Sequence, residues 1–154
     1  MNFDLTQEHK LIQKTARDFA QNELLPGVLE RDENKIWPKD AIFKMGELGF
    51  MGMMVSPDYN GGGMDTISYV IAMEEIAKVD AAASVVMSVN NSLVCTLLEK
   101  YGDKFQKEKY LSKLSTGQLL GAFSLSEPQS GSDASNMLTF AKKTDSGYVL
   151  NGTK

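Results

Sequence analysis

Apolar residues recur at helical spacing through the first three quarters of the chain, and the period then shortens to two. Behind Thr6, a residue suited to capping a first turn that carries Gln7 and Glu8, the positions Leu11, Ile12, Thr15, Phe19 and Leu24 predict an amphipathic helix. Pro26-Gly27 kinks or ends it. A short helix follows Trp37-Pro38, carried by Ile42, Phe43, Met45 and Leu48, and stops at Gly49. Residues 50–64 read as a loop, because the Ser56-Pro57-Asp58 turn and the Gly61-Gly62-Gly63 triplet interrupt any period. Asp65 or Thr66 then caps a helix through Ile67, Val70, Ile71, Glu74, Glu75 and Ile76. An uncharged helix begins at Ala81 and ends near Tyr101-Gly102, and a last one runs from about Asp103 to Leu114, solvated along Lys104, Lys107 and Lys109.

At Thr116-Gly117 the pattern becomes strand-like. Residues 119–125, 138–143 and 148–150 are strand candidates, with Asp145-Ser146-Gly147 as a hairpin turn between the last two. Helices first and strands after predict two packed units. The expected division is a mainly α-helical domain over 1–117 and the opening strands of a β domain over 118–154. Strands that end at Lys154 without a visible partner leave exposed edges, a pairing liability.

Composition narrows the class. The uncharged run from Ala81 to Leu98 nearly reaches the length of a membrane span. It also carries Ser84, Ser88, Asn90, Asn91, Ser92 and Thr96, which suits a helix wrapped by protein rather than lipid, and no membrane partner is expected. A formal net charge of −4 argues against nucleic acid and against an anionic membrane surface. One cysteine, Cys95, excludes an internal disulfide framework and fits a reducing compartment. The opening Met1-Asn2-Phe3-Asp4-Leu5 has neither a basic nor an apolar signal region, so the expected location is cytoplasmic.

The candidate chemistry lies in Gly121–Asp133. Phe123 and Leu125 alternate with Ser124 and Ser126, as in a strand, and Pro128 biases Glu127 away from helical backbone. Gln129-Ser130-Gly131-Ser132-Asp133 then offers backbone N–H groups, two hydroxyls and a glycine that permits close approach, the ingredients of an anion-binding concavity. An apolar ribbon leading into such a loop suits a ligand with a flat ring at one end and a phosphate at the other. Strict alternation would put Phe123 and Ser126 on opposite faces. Both can meet one ring only through a bend near Glu127-Pro128 or through backbone contacts.

Phe123-Ser124-Leu125-Ser126-Glu127-Pro128, followed after Gln129-Ser130 by Gly131-Ser132-Asp133, resembles the flavin-binding signature of the acyl-CoA dehydrogenases. The resemblance extends to Ile71-Ala72-Met73-Glu74-Glu75-Ile76-Ala77, to Met87-Ser88-Val89-Asn90-Asn91-Ser92-Leu93 and to Leu150-Asn151-Gly152-Thr153-Lys154, and the second of these looks most like the short-chain, butyryl-CoA branch. It implies an N-terminal antiparallel helical bundle of the acyl-CoA dehydrogenase type, followed by the opening strands of an incomplete β-barrel domain. It implies FAD as cofactor and α,β-dehydrogenation of a short-chain fatty acyl-CoA thioester, with an electron-transfer flavoprotein as electron acceptor. By the resemblance Phe123, Leu125 and Ser126 lie along the flavin ring, Gly131 and Ser132 by the pyrophosphate, Ser132 also near the CoA arm, and Asn90 and Asn91 beside the acyl pocket. The family's catalytic glutamate lies in a C-terminal bundle beyond Lys154. The chain is therefore expected to be an N-terminal portion without a catalytic residue of its own, and a homo-oligomer is expected only of the full-length protein.

Other residues take plainer readings. Glu127 is expected to be structural rather than a base, and Glu74 and Glu75, adjacent on a helix, face apart. His9, beside Lys10, reads as solvated, and a single histidine gives no support to a metal site or a Ser-His-Asp triad. Cys95 reads as a core residue, the cluster of Met45, Met51, Met53, Met54 and Met64 as packing, and the glycine triplet as a loop without the lysine of a phosphate-binding motif. Asn90 and Asn91 fit either pocket lining or interhelical bonding. Three functions remain open: a flavin-dependent acyl-CoA dehydrogenase, an acyl-CoA oxidase or other flavoprotein of the same superfamily, and a non-enzymatic helical module that binds acyl chains or a partner.

Overall fold

Polar caps at Thr6, Asp65, Asp80 and Asp103 set where four helices of the computed structural model begin; the structure describes residues 4–154. Met1, Asn2 and Phe3, part of the opening read above as lacking a signal, lie outside the described residues. α1 (Gln7–Phe19) starts at Thr6, whose Oγ1 accepts the His9 N–H at 3.1 Å while His9 Nδ1 accepts the Thr6 N–H at 3.4 Å. This reciprocal pairing satisfies two otherwise orphaned donors. Ile12, Ala16 and Phe19 face inward, as do Ala20 and Leu24 in the wider π turn (Ala20–Leu24) that ends the helix. Leu11, expected in that stripe, points to solvent.

Gly27, at φ +76°, turns the chain into α2 (Val28–Asn34), and α3 (Lys39–Glu47) follows with Ile42 and Met45 buried. The loop over residues 50–64 contains a 3₁₀ turn at Pro57–Tyr59, and it runs through the interior, with Met51, Met53 and Val55 buried. α4 (Thr66–Ala77) is capped by Asp65, which accepts the Ser68 N–H at 2.7 Å. α5 (Ala81–Tyr101) is capped by Asp80 and contains a π turn at Val89–Cys95. α6, residues 104–115, has Asp103 and Gln106 as a reciprocal cap and a π turn at Lys107–Leu111.

α4 and α5 pack antiparallel across a short connection, Ser84 Oγ lying 3.5 Å from the Met73 carbonyl. α1 lies against α4 in the same direction, because His9 meets Asp65 near both starts and Arg17 meets Glu75 near both ends. His9 is therefore not solvated, contrary to the sequence reading. Its Nε2 stands 3.2 Å from Asp65 and its side chain is only 12% exposed. Since Nδ1 accepts from Thr6, Nε2 carries the proton that binds Asp65. Phe19, Met45, Phe50, Met53, Ile76 and Met87 belong to the main core, where the Phe19 and Phe50 rings meet edge to face at 6.0 Å. Val55, Cys95, Leu111 and Leu114 form a second cluster, so the methionines and the cysteine are packing residues as expected. Burial pushes the Cys95 thiol up to about 12.

α5 is long and apolar enough to cross a membrane by length and composition, but Ala83, Ser84, Met87, Asn90, Asn91 and Cys95 are buried by protein. Internal contacts divide the chain after Ala122 into a helical unit and a second unit, Phe123–Lys154. In the second, β1 (Phe140–Thr144) and β2 (Gly147–Asn151) pair antiparallel, from Phe140 opposite Asn151 to Thr144 opposite Gly147, across a two-residue turn at Asp145-Ser146. Gly147 adopts φ +147° there, a region glycine enters without strain. Residues 119–125 do not form the expected strand. Among the described residues no neighbouring strand pairs with them, and alternation alone cannot supply the missing half of a ladder.

Candidate functional site

The residues that follow the extended run are organised by a carboxylate. The Glu127 and Ser130 backbones exchange hydrogen bonds at 2.8 and 3.0 Å and close a tight turn around Pro128 and Gln129. The Glu127 side chain, 2% exposed, accepts the Leu138 N–H at 2.7 Å, the Thr139 N–H at 3.1 Å and Gln129 Nε2 at 2.6 Å, and it pairs with Lys154 Nζ at 2.9 Å. Hydrogen bonding from Thr139, then from Lys154 and Leu138, outweighs burial and holds the carboxyl well below the usual carboxylate range. A group held ionised and already bonded to four donors is a poor proton acceptor, so Glu127 is structural, as the sequence suggested.

Lys154 Nζ also donates to the Leu125 carbonyl at 2.8 Å and lies 3.2 Å from Met137 sulfur. Inside the loop, Ser130 is buried and its hydroxyl donates to the Asp133 carbonyl at 2.7 Å, while Asp133 accepts the Ser135 N–H at the start of the 3₁₀ turn Ala134–Asn136. The other residues that sequence reasoning singled out here remain on the surface. Phe123 and Leu125 expose 42% and 36% of their area, and Ser126, Gly131 and Ser132 are exposed. No internal hydrogen bond engages the Ser126 or Ser132 hydroxyl among the described residues, and a Cβ built on Gly131 would meet nothing within 4 Å. Apolar side chains, free hydroxyls and an open glycine together fit a ligand with a ring and a phosphate.

Asn90 and Asn91 are organised differently, and both are buried. Neighbouring side chains on a helix diverge, and each meets its own stretch of backbone. Asn90 donates to the Met51 and Leu114 carbonyls at 2.8 and 3.0 Å and accepts the Gly121 N–H at 2.9 Å. Asn91 donates to the Phe50 and Met87 carbonyls at 2.8 and 2.9 Å and accepts the Met53 N–H at 2.9 Å. Each amide thus has both protons and its oxygen engaged, which favours the bonding reading over pocket lining. Gly121 is required at the last contact, because a Cβ there would stand 2.7 Å from the Val94 side chain.

Two features escaped the sequence reading. Glu75, 3% exposed, is bonded by Arg17 at 2.9 Å, by Lys78 at 2.9 Å and by Gln13 at 3.2 Å, and these partners hold its carboxyl down at about 2. Lys154 was noted only as the end of a motif; its partners are 27 and 29 residues away, beyond the reach of any local pattern. Surface hollows of about 490 and 540 Å³ flank Trp37 on the helical unit, and none of the predicted site residues lines either. No cluster of metal ligands occurs among the described residues.

Comparison with known proteins bears on all of this. The family model described as acyl-CoA dehydrogenase, N-terminal domain, matches residues 6–118. A short-chain specific acyl-CoA dehydrogenase of Clostridium acetobutylicum is 40% identical over all 154 residues, and the chain spans 41% of that protein's length. Butyryl-CoA dehydrogenase from Megasphaera elsdenii is similar in structure, with a TM-score of 0.90 and 41% identity over 99% of this chain and 41% of its own. An acyl-CoA dehydrogenase complexed with FAD from Bacillus anthracis gives a TM-score of 0.88 at 34% identity, over 97% of this chain and 26% of its own.

Proposed function

Since the chain belongs to the acyl-CoA dehydrogenase family, we propose that it supplies the helical domain and first β hairpin of a flavin-dependent enzyme that dehydrogenates a short-chain fatty acyl-CoA across Cα–Cβ. Identity of 40% to a short-chain specific relative along the entire chain is the observation that carries this reading. Within it, residues 1–117 are assigned to the helical domain and 118–154 to the start of the β domain, with 118–122 a connection whose internal contacts are with the helical unit.

FAD, when bound, supplies the acceptor for the substrate's β-hydride. Phe123 and Leu125 contribute exposed apolar surface for the ring, and Ser126 a hydroxyl donor for the part of the ring where negative charge gathers. Gly131 and Ser132 offer open backbone and a free hydroxyl for the pyrophosphate, with Ser132 also within the CoA-binding region. Asn90 and Asn91 shape the acyl pocket through the backbone they hold rather than by touching the acyl chain. Neither Glu127 nor Glu75, each locked in an ion pair, is suited to take the α-proton, and the family resemblance assigns that step to a carboxylate of the C-terminal bundle. An electron-transfer flavoprotein is the proposed acceptor of the reducing equivalents, and the cytoplasm, which suits the free buried thiol of Cys95, the proposed compartment.

The test is spectroscopic. Mixed with FAD, the chain is expected to perturb the flavin's visible bands weakly, and Ser126→Ala is expected to reduce that perturbation. Free-flavin bands at saturating protein would refute the site. Butyryl-CoA turnover by the chain alone would show that the base has been misplaced.

A further inference from the structure

The second unit, Phe123–Lys154, has no hydrophobic core: every residue of β1 and β2 is exposed, and its buried residues are Glu127 and Ser130, both polar. Its conformation is therefore set by directed bonds, and those bonds converge on one carboxylate and one ammonium. Glu127 gathers the Leu138 and Thr139 N–H groups, Gln129 and Lys154, so the two ends of the 127–139 loop are fastened at a single point. Lys154, at the far side of the hairpin, reaches the Leu125 carbonyl at 2.8 Å. The peptide joining Leu125 to Ser126 is planar and trans, so its C=O and N–H point in opposite directions. With the carbonyl fixed on Lys154, the Ser126 N–H is turned away from the ammonium, and no group in the chain accepts it among the described residues.

We propose that Lys154 and Glu127 are positioning residues for cofactor binding: Lys154 fixes the Leu125–Ser126 peptide so that the Ser126 N–H is presented as a free donor to the flavin, and Glu127 holds Lys154 and the loop carrying Gly131 and Ser132 in register with it. The inference rests on the reading of residues 123–132 as a flavin-contacting segment. It explains why a lysine after β2 belongs to the same site as a serine nearly thirty residues earlier. It also explains why the loop's central carboxylate is bonded to backbone N–H groups rather than left open to solvent.

Amide NMR of the whole chain and of Lys154→Met, Lys154→Arg and Glu127→Gln tests it. In Lys154→Met the Ser126 amide is expected to move toward its unstructured position and FAD affinity, read from flavin fluorescence, to fall about tenfold, the scale of one charge-assisted hydrogen bond. Lys154→Arg, which retains a cation able to reach both partners, is expected to restore both. Glu127→Gln is expected to release the Gly131 and Ser132 amides as well. The Asn90 and Asn91 amides, in the helical unit, should stay in place in all three variants and report that the chain is folded. A Ser126 amide that keeps its wild-type position in Lys154→Met, or arginine that fails to rescue, overturns the inference. A wild-type chain whose Ser126 and Ser132 amides ignore FAD overturns instead the flavin reading on which it rests, and the two failures are read from different samples.

Discussion

Asn91 lies where a side chain of the wrong type would be most costly. Its amide satisfies two buried carbonyls and one buried N–H, and each such group left unpaired costs about 1–3 kcal/mol. Asn91→Ala is therefore expected to lower the unfolding free energy by about 3 kcal/mol in urea titration. Asn91→Asp, which turns two donors into acceptors facing the Phe50 and Met87 carbonyls, is expected to be worse still. Glu75 makes a complementary case. Its carboxyl falls from the ordinary 4.5 to about 2, chiefly through the Arg17 hydrogen bond, so it favours the folded state when ionised. That contribution is complete above about pH 4.5 and is lost as the pH falls toward 2. Glu75→Gln should remove Glu75's share of the acid sensitivity in this window, as read from helical circular dichroism, while lowering stability at neutral pH; Asp65, also held down at about 2, keeps a share of its own.

Elements show what local sequence could and could not reveal. The caps at Thr6 and Asp65, the latter one of two candidates with Thr66, were legible because capping is decided within four residues, whereas Asp103 was legible only as a helix start. Thr6→Ala is expected to cost about 1 kcal/mol in thermal unfolding, since it removes the acceptor of the His9 N–H. The hairpin was legible from its turn residues, but residues 119–125 were not, because a strand exists only where another pairs with it. Among the candidate site residues, Phe123, Leu125, Ser126, Gly131 and Ser132 stand on the surface and the Ser126 and Ser132 hydroxyls are open, whereas the roles of Asn90, Asn91 and Lys154 depend on backbone far away in sequence. The pairing of His9 with Asp65, 56 residues apart, was hidden for the same reason. Close backbone contact was equally invisible: a Cβ on Gly46 would lie 2.3 Å from the Thr116 carbonyl. Gly46→Ala, ordinarily a helix-favouring change, is therefore expected to destabilise by about 2 kcal/mol in the same denaturation assay.

At the scale of the whole molecule, a helical unit organised around an apolar core and a β unit organised around an ion pair should answer differently to solvent. Salt screens exposed charges far more than apolar burial, and half-buried pairs less than exposed ones. Lys154, 29% exposed, is within reach of that screening, whereas the helical core is not. Raised salt is thus expected to loosen the amides of 127–139 in hydrogen exchange before those of α4 and α5. The π turn at Val89–Cys95 has a consequence of another kind. Each residue added to or removed from a helix rotates everything downstream by about 100°. At a π turn, however, the wider winding already absorbs one extra residue, so excising a single residue there would restore regular winding and leave Cys95 facing the interior. A one-codon deletion within 89–95 that spares Asn90, Asn91 and Cys95 should therefore be better tolerated, as read from thermal unfolding, than one within the regular turns of Ala81–Ser88, where nothing absorbs the rotation.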